Sequence, residues 1–94
     1  MRQFIIIGMV GKYINTGSYN NDNNTQFATF NLYPMKIKDE CYKVIINSNN
    51  LKHIPNLTPG TIIYLSGKPQ CKNNKIEIVA DYLYFIKEAE IETK

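Results

Sequence analysis

At 94 residues the chain has room for one domain, and no apolar run in it is long enough to span a membrane. Its hydrophobic fraction of 44% is that of a globular protein, and the prominence of Ile, Val, Tyr and Phe favours strands over helices. The formal net charge is +3, and residues 1–87 alone hold ten basic and five acidic residues, which suits a polyanionic partner unless the lysines serve only solvation.

The first part of the chain predicts two strands separated by a loop. Residues 4–13, FIIIGMVGKY, indicate a first strand rather than an export signal, because no small-residue cleavage site follows, and Gly8 predicts a bulge or bend within it. The Asn-rich residues 14–25 have no apolar period, which predicts an exposed loop. Residues 26–34 alternate, so positions 28, 30 and 32 share one face of a second strand. The opposite face carries Phe27, Thr29, Asn31 and Tyr33.

The rest of the chain predicts three more strands and a short helix. The strands cover residues 41–47, 61–72 and 75–88. Leu51, Ile54 and Leu57 recur every three residues, which predicts one or two helical turns. Gly67 and Pro69 predict that the fourth strand bends or frays near its middle. The order β-β-β-α-β-β predicts an all-β fold, the five-stranded OB-fold, which is a partly open Greek-key barrel with one short helix between strands three and four.

Several of these segments resemble the bacterial single-stranded DNA-binding proteins. FIIIGMVGKY resembles their opening strand, in which an Ile/Val-rich run leads into I-G-x-x-G-K, and FATFNL resembles their second strand. YKVII resembles their third strand, and LTPGTIIYLSGK resembles the end of their helix with the fourth strand. KIEIVADYLYFI resembles their closing strand. The resemblance covers roughly residues 3–87, and it extends to the primosomal replication protein, a shorter relative with the same fold.

The resemblance implies a non-enzymatic function without a cofactor. It implies non-sequence-specific binding of single-stranded DNA in replication, repair, recombination or plasmid and phage DNA transfer, in the cytoplasm and with replication proteins as further partners. We expect the binding domain to cover residues 1–88 and a short acidic tail to follow at 89–94. Assembly into a homodimer or homotetramer is implied through the first strand, with interface residues Phe4, Ile5, Ile6, Ile7 and Met9.

The resemblance, together with the placement of basic residues and the outward face of the second strand, predicts a set of contacts with single-stranded DNA. The basic candidates, expected to neutralise phosphates, are Lys12, Lys36, Lys38, Lys43, Lys68 and Lys72. The candidates on the outward face of the second strand are Phe27, Thr29, Asn31 and Tyr33. Exposed lysines that only protect strand edges, and aromatic rings that pack against a partner subunit, are the alternatives for these residues.

The chain departs from the family pattern in three ways. It has no Trp, and two third-strand stacking positions fall on Cys41 and Asn47, which are not aromatic. The two hairpins are short, and the tail EIETK lacks the acidic tip with a terminal Pro-Phe that recruits replication enzymes. These departures favour an alternative in which the protein is a primosomal-type accessory that acts mainly through protein partners. An RNA-binding OB-fold is a second alternative.

No residue pattern in the chain predicts catalysis or a metal site. Cys41 and Cys71 lie thirty residues apart without a C-x-x-C motif, and His53 is the single histidine, which fits neither a zinc site nor a disulfide framework. The two cysteines are expected to be reduced cytosolic thiols. No nucleophile–base pair and no phosphate-binding glycine loop are present, so we expect a protein that is not an enzyme.

Overall fold

The computed structural model describes residues 3–18, 26–37 and 39–87 as five strands and one 3₁₀ helix. The strands are β1 (Phe4–Gly17), β2 (Phe27–Pro34), β3 (Tyr42–Asn47), β4 (Ile62–Lys72) and β5 (Lys75–Lys87), and the helix (Ser48–Asn56) lies between β3 and β4. This order confirms the predicted all-β, five-stranded architecture. Within the described ranges, no helix has the length and apolar character needed to cross a membrane.

The strands form a closed barrel in the order β1-β2-β3-β5-β4. β1 pairs antiparallel with both β2 and β4, while β3 and β5 pair in parallel through residues 43–45 and 77–79. The barrel is therefore closed, whereas the sequence predicted a partly open one. The short β3–β5 ladder closes the barrel, because it joins the two strands that would otherwise be the edges of the sheet.

Alternation along the strands builds the core. The predicted inward positions of β2, Ala28, Phe30 and Leu32, are buried, as are Val44 and Ile46 on β3. β4 and β5 add further buried side chains, which are Ile63, Leu65, Ile78, Ala80 and Leu83. Each large side chain of this kind stabilises the fold by about 1.5–3 kcal/mol relative to an exposed position, so the core is the main source of stability.

The 3₁₀ helix closes one end of the barrel. A 3₁₀ helix has three residues per turn, which places Leu51 and Ile54 one turn apart, and Leu57 follows as the C-cap residue. The buried side chain of Asn50 fixes the helix to β5, because its Nδ2 donates to the carbonyl oxygens of Ala80 and Asp81 at 3.2 and 3.3 Å. The predicted helical turns are confirmed.

β1 is longer than its sequence predicts. Residues 14–17, expected in a loop, continue the strand because they pair with β2 from Ile14↔Phe30 to Gly17↔Phe27. The register shift of β1 falls between Val10 and Ile14, so the bulge predicted at Gly8 is displaced toward the middle of the strand. Gly8 instead permits a close approach, since a Cβ there would lie 2.6 Å from the carbonyl oxygen of Tyr33.

β4 and β5 form a long hairpin that ends in an arm. β4 bends at a register shift between Ser66 and Gly67, but it does not fray, because pairing continues to Lys72↔Lys75. Asn73 and Asn74 form the turn with φ values of 53° and 66°, a left-handed conformation that Asn tolerates well. Residues 68–76, here called the β4–β5 arm, are exposed.

Candidate nucleic-acid interface

One side of the barrel presents an outward surface from three adjacent strands. We call it the β1–β3 face and define it by Tyr13, Asn15, Phe27, Thr29, Asn31, Tyr33 and Lys43. The register places Thr29 between Asn15 and Ile45, and Lys43 between Asn31 and Glu77. A shallow cleft of about 90 Å³ opens in this face beside Tyr13, Asn31 and Lys43. The face thus combines aromatic rings, amides, a hydroxyl and one lysine.

Two aromatic rings of the face rest on glycines of β1. Phe27 is the register partner of Gly17, and a Cβ at Gly17 would overlap the Phe27 ring. A Cβ at Gly11 would lie 2.9 Å from Cε2 of Tyr33. The glycines therefore allow both rings to lie close against the β1 backbone, as aromatic side chains do when they cover a glycine on a neighbouring strand.

Tyr13 is a candidate that the sequence analysis missed. Its side chain is 73% exposed, and it lies where β1 loses its pairing with β2 between Val10 and Ile14. The ammonium of Lys12 lies 5.8 Å from the centre of the Tyr13 ring, within reach of a cation–π contact. Sequence parity could not orient Tyr13, because the register shift immediately precedes it. In the sequence, the neighbouring Gly11 and Lys12 were the only local features that pointed to Tyr13.

Lys43 is held in place by a carboxylate on β5. Its Nζ lies 3.4 Å from Oε2 of Glu77, and Nε2 of Gln70 donates to Oε1 of the same residue at 3.2 Å. Glu77 is 7% exposed. The hydrogen bond from Gln70 is the largest cause that lowers the pKa of Glu77, and Lys43 and Lys72 act in the same direction against the effect of burial. The carboxylate is therefore ionised at neutral pH.

The β4–β5 arm carries lysines on both of its strands. Lys72 and Lys75 are directly opposed at its tip, where like charges destabilise a hairpin unless an anion or a carboxylate offsets them. Lys68 is exposed at the start of the arm. Lys75 was missed as a candidate, although the predicted strands 61–72 and 75–88 leave a two-residue turn that already opposes it to Lys72.

The predicted DNA contacts fall in three places. Phe27, Thr29, Asn31, Tyr33 and Lys43 share the β1–β3 face, with Lys12 beside Tyr13 at its margin. Lys68 and Lys72 lie on the arm. Lys36 lines a separate groove of about 590 Å³ with residues 3–7 and 34–37 and with Tyr42. Lys38 lies outside the described residues. All ten positions remain predicted contacts.

The predicted subunit interface divides between two environments. Ile5, Ile7 and Met9 are exposed, whereas Phe4 and Ile6 pack against the core. The register places Ile5 beside Ser66 and Ile7 beside Tyr64 on β4, with Tyr82 and Tyr84 on β5 as the next residues across the sheet. We call this second surface the apolar face and define it by Ile5, Ile7, Met9, Tyr64, Tyr82 and Tyr84. Tyr82 contacts both other tyrosines, with ring centres 6.5 Å from Tyr64 and 5.5 Å from Tyr84.

In the part of the chain that the structure describes, no cluster of three or more His, Cys, Asp or Glu is placed to hold a metal ion. Cys41 and Cys71 are exposed free thiols.

Solved structures with this fold include mitochondrial single-stranded DNA-binding proteins from S. cerevisiae. One crystal structure of Rim1 has a TM-score of 0.75 and 13% identity, and the alignment covers 94% of this chain and 98% of that one. A selenomethionine-labelled Rim1 has a TM-score of 0.70 and 18% identity, with 94% and 97% covered. No protein-family model and no curated protein matches the sequence. At these identities the likeness shows a shared fold.

Proposed function

We propose that this protein binds single-stranded DNA without sequence specificity, on the β1–β3 face and along the β4–β5 arm. The observation that carries the proposal is the placement of exposed Tyr13 beside Asn31 at one cleft of a face that also exposes the ring of Tyr33. Base faces stack on such rings regardless of sequence, and amides offer hydrogen bonds to bases or backbone. The shared fold with proteins that are named for single-stranded DNA binding supports the same conclusion.

The arm supplies the electrostatic part of the proposed binding. Lys68, Lys72 and Lys75 are exposed, and none of them has an ion pair within the described residues. They are therefore available to neutralise phosphates, and each contact should release condensed counterions and make binding depend on salt. Lys12 would add one cation beside Tyr13. Binding of this kind requires no reaction, so the proposed function is not enzymatic.

The proposal also covers the family and the cellular role of the protein. We propose a short, cytoplasmic relative of the bacterial single-stranded DNA-binding proteins, similar to the primosomal replication protein, with a role in replication, repair, recombination or DNA transfer. Its binding domain would cover residues 1–88 and its acidic tail residues 89–94, of which the tail lies outside the described residues. The motif order given in the sequence analysis supports this assignment.

The apolar face supports homo-oligomer formation in the proposed function. It exposes Ile5, Ile7 and Met9 beside three tyrosines, and exposed apolar surfaces of this kind on small domains commonly mark protein interfaces. A second copy would cover it and supplement the small core. The same face supports the alternative of an accessory protein that acts mainly through other proteins, because the face would bind a different protein as well as a second copy of this chain.

The proposed function is tested by fluorescence anisotropy of a labelled oligo-dT strand titrated with the protein at several salt concentrations. Saturable binding that weakens with salt, and that duplex DNA does not displace, is the expected result. Competition by a matched RNA strand distinguishes DNA from RNA as the preferred ligand. Absence of binding at low salt, with recovery of a replication protein in a nuclease-treated pull-down, would instead support the accessory alternative.

A further inference from the structure

The one lysine of the β1–β3 face differs from the lysines of the arm. Lys43 lies on β3, at the side of the β1–β3 face that adjoins β5, and its side chain is 51% exposed, yet its ammonium is paired with Glu77. A lysine that meets a phosphate must give up such a partner or share it. The arm lysines Lys72 and Lys75 face each other and form no ion pair within the described residues, although the charge of Lys72 also acts on the Glu77 carboxylate. The two groups should therefore differ in their contribution to anion binding.

Glu77 is fixed from both neighbouring strands. It is the register partner of Lys43 on β3 and of Gln70 on β4, and both side chains contact its carboxylate. A carboxylate with 7% exposure is costly unless its oxygens are hydrogen-bonded or paired, and these two neighbours satisfy that requirement. Its lowered pKa, caused first by the Gln70 hydrogen bond, keeps it ionised at neutral pH. The negative charge is thus a permanent feature of the surface.

We infer that Glu77 is a specificity-determining residue of the binding face, because it neutralises Lys43 and so prevents the β3 side of the face from acting as a phosphate site. This inference rests on the proposed function. Phosphates are then held by the arm lysines, and bases lie over Tyr13 and Asn31. A duplex presents its phosphates outward and keeps its bases stacked inside, so a face whose lysine is neutralised disfavours it.

The substitution Glu77→Gln tests the inference because it removes the charge and keeps the shape. The glutamine oxygen still accepts from Gln70, while Lys43 loses its ionic partner and becomes available to a phosphate. We expect the salt dependence of oligo-dT binding, log Kd against log salt, to steepen by about 0.7, the coefficient of one added phosphate contact on a single strand. The affinity advantage of Glu77→Gln over the wild type should be about 2.6-fold smaller at 200 mM than at 50 mM salt. For duplex DNA, the salt dependence of binding should steepen by about 0.9 in the same variant.

The double variant Lys43→Met/Glu77→Gln separates the lysine from the carboxylate. It replaces the whole ion pair by uncharged side chains, a change that proteins often tolerate, and thermal unfolding verifies the fold. The inference predicts the wild-type salt slope for this variant, because Lys43 contributes no phosphate contact in the wild type. A slope lower by about 0.7 would show that Lys43 holds a phosphate despite Glu77.

Asp81→Asn is the matched control for the loss of one negative charge. Asp81 lies on β5 as well, accepts from Nε2 of Gln3 at 3.0 Å, and can be replaced by an amide that still accepts. Its variant should keep the wild-type slope. An unchanged slope in Glu77→Gln with normal wild-type binding overturns this inference alone. Absence of wild-type binding to oligo-dT overturns the proposed function, and this inference with it.

Discussion

At the scale of single residues, Tyr13 gives the cleanest test of base stacking. Its side chain is 73% exposed, so Tyr13→Ala should leave the barrel intact. Loss of one stacked base costs about 1–3 kcal/mol, which corresponds to an affinity for oligo-dT about 5- to 150-fold lower. Tyr13→Phe keeps the ring and should bind like the wild type. Anisotropy titrations of both variants measure the difference, and equal affinities for Tyr13→Ala and wild type would exclude Tyr13 from the site.

Glu77 also makes a testable contribution to stability. A carboxylate whose folded-state pKa is lowered stabilises the fold at pH values above its ordinary pKa, and this contribution is lost as the pH falls through the lowered value. The wild-type midpoint in urea should therefore fall more steeply than that of Glu77→Gln as the pH is lowered below about 4.3. Urea titrations of both proteins over an acid pH series measure how their midpoints change. Parallel curves for the two proteins would show that the Gln70 and Lys43 contacts do not stabilise the ionised form.

At the scale of secondary-structure elements, the β4–β5 arm should carry the salt dependence of binding. The double variant Lys72→Ala/Lys75→Ala removes two phosphate contacts, so the salt slope should fall by about 1.4 on a single strand. Stability should stay constant or rise slightly, because the variant also removes a like-charge pair opposed across the hairpin. Anisotropy at four or more salt concentrations measures the slope.

Lys52→Ala provides the control for the arm variant, since Lys52 is exposed on the 3₁₀ helix rather than on the arm. It should retain the wild-type slope. If the arm variant and the control behave alike, the arm is not the phosphate-binding element.

The elements show which parts of the fold local patterns specify. The alternation at Ala28, Phe30 and Leu32 predicted the buried side of β2, and the three-residue period ending at Leu57 predicted the helical turns. Residues 14–17 were expected in a loop because they open an Asn-rich stretch that has no apolar period. They are strand because β2 lies beside them, and this partner compensates for a weak intrinsic preference.

The candidate site was predictable only in part, for a related reason. The outward side of β2 followed from parity, whereas the Lys43–Glu77 pair depends on the parallel register of β3 and β5, which joins two residues more than thirty positions apart. Tyr13 could not be oriented because the β1 register shift precedes it. Charge and composition therefore indicated a polyanion-binding surface, but not which lysines of that surface remain available.

At the scale of the whole molecule, the apolar face should determine the oligomeric state. Ile7 is 47% exposed and lies beside Tyr64, so Ile7→Lys would place a charge in any interface formed there without disturbing the core. We expect the wild type to sediment as a dimer or larger species and the variant as a folded monomer. Analytical ultracentrifugation with circular dichroism measures both properties.

Ile76→Lys is a matched control for assembly, because Ile76 is 55% exposed and lies on the arm rather than on the apolar face. It should sediment like the wild type. A monomeric wild type, or an Ile7→Lys variant that still assembles, would show that the apolar face does not join copies of this chain.

The most direct test of the whole account is the anisotropy titration of labelled oligo-dT with the wild-type protein across salt concentrations, with unlabelled duplex as competitor. The account predicts saturable binding whose affinity falls with a linear log–log salt dependence and which duplex DNA does not displace. No binding at low salt, or equal displacement by duplex, would contradict the claim that the β1–β3 face and the β4–β5 arm hold a single strand.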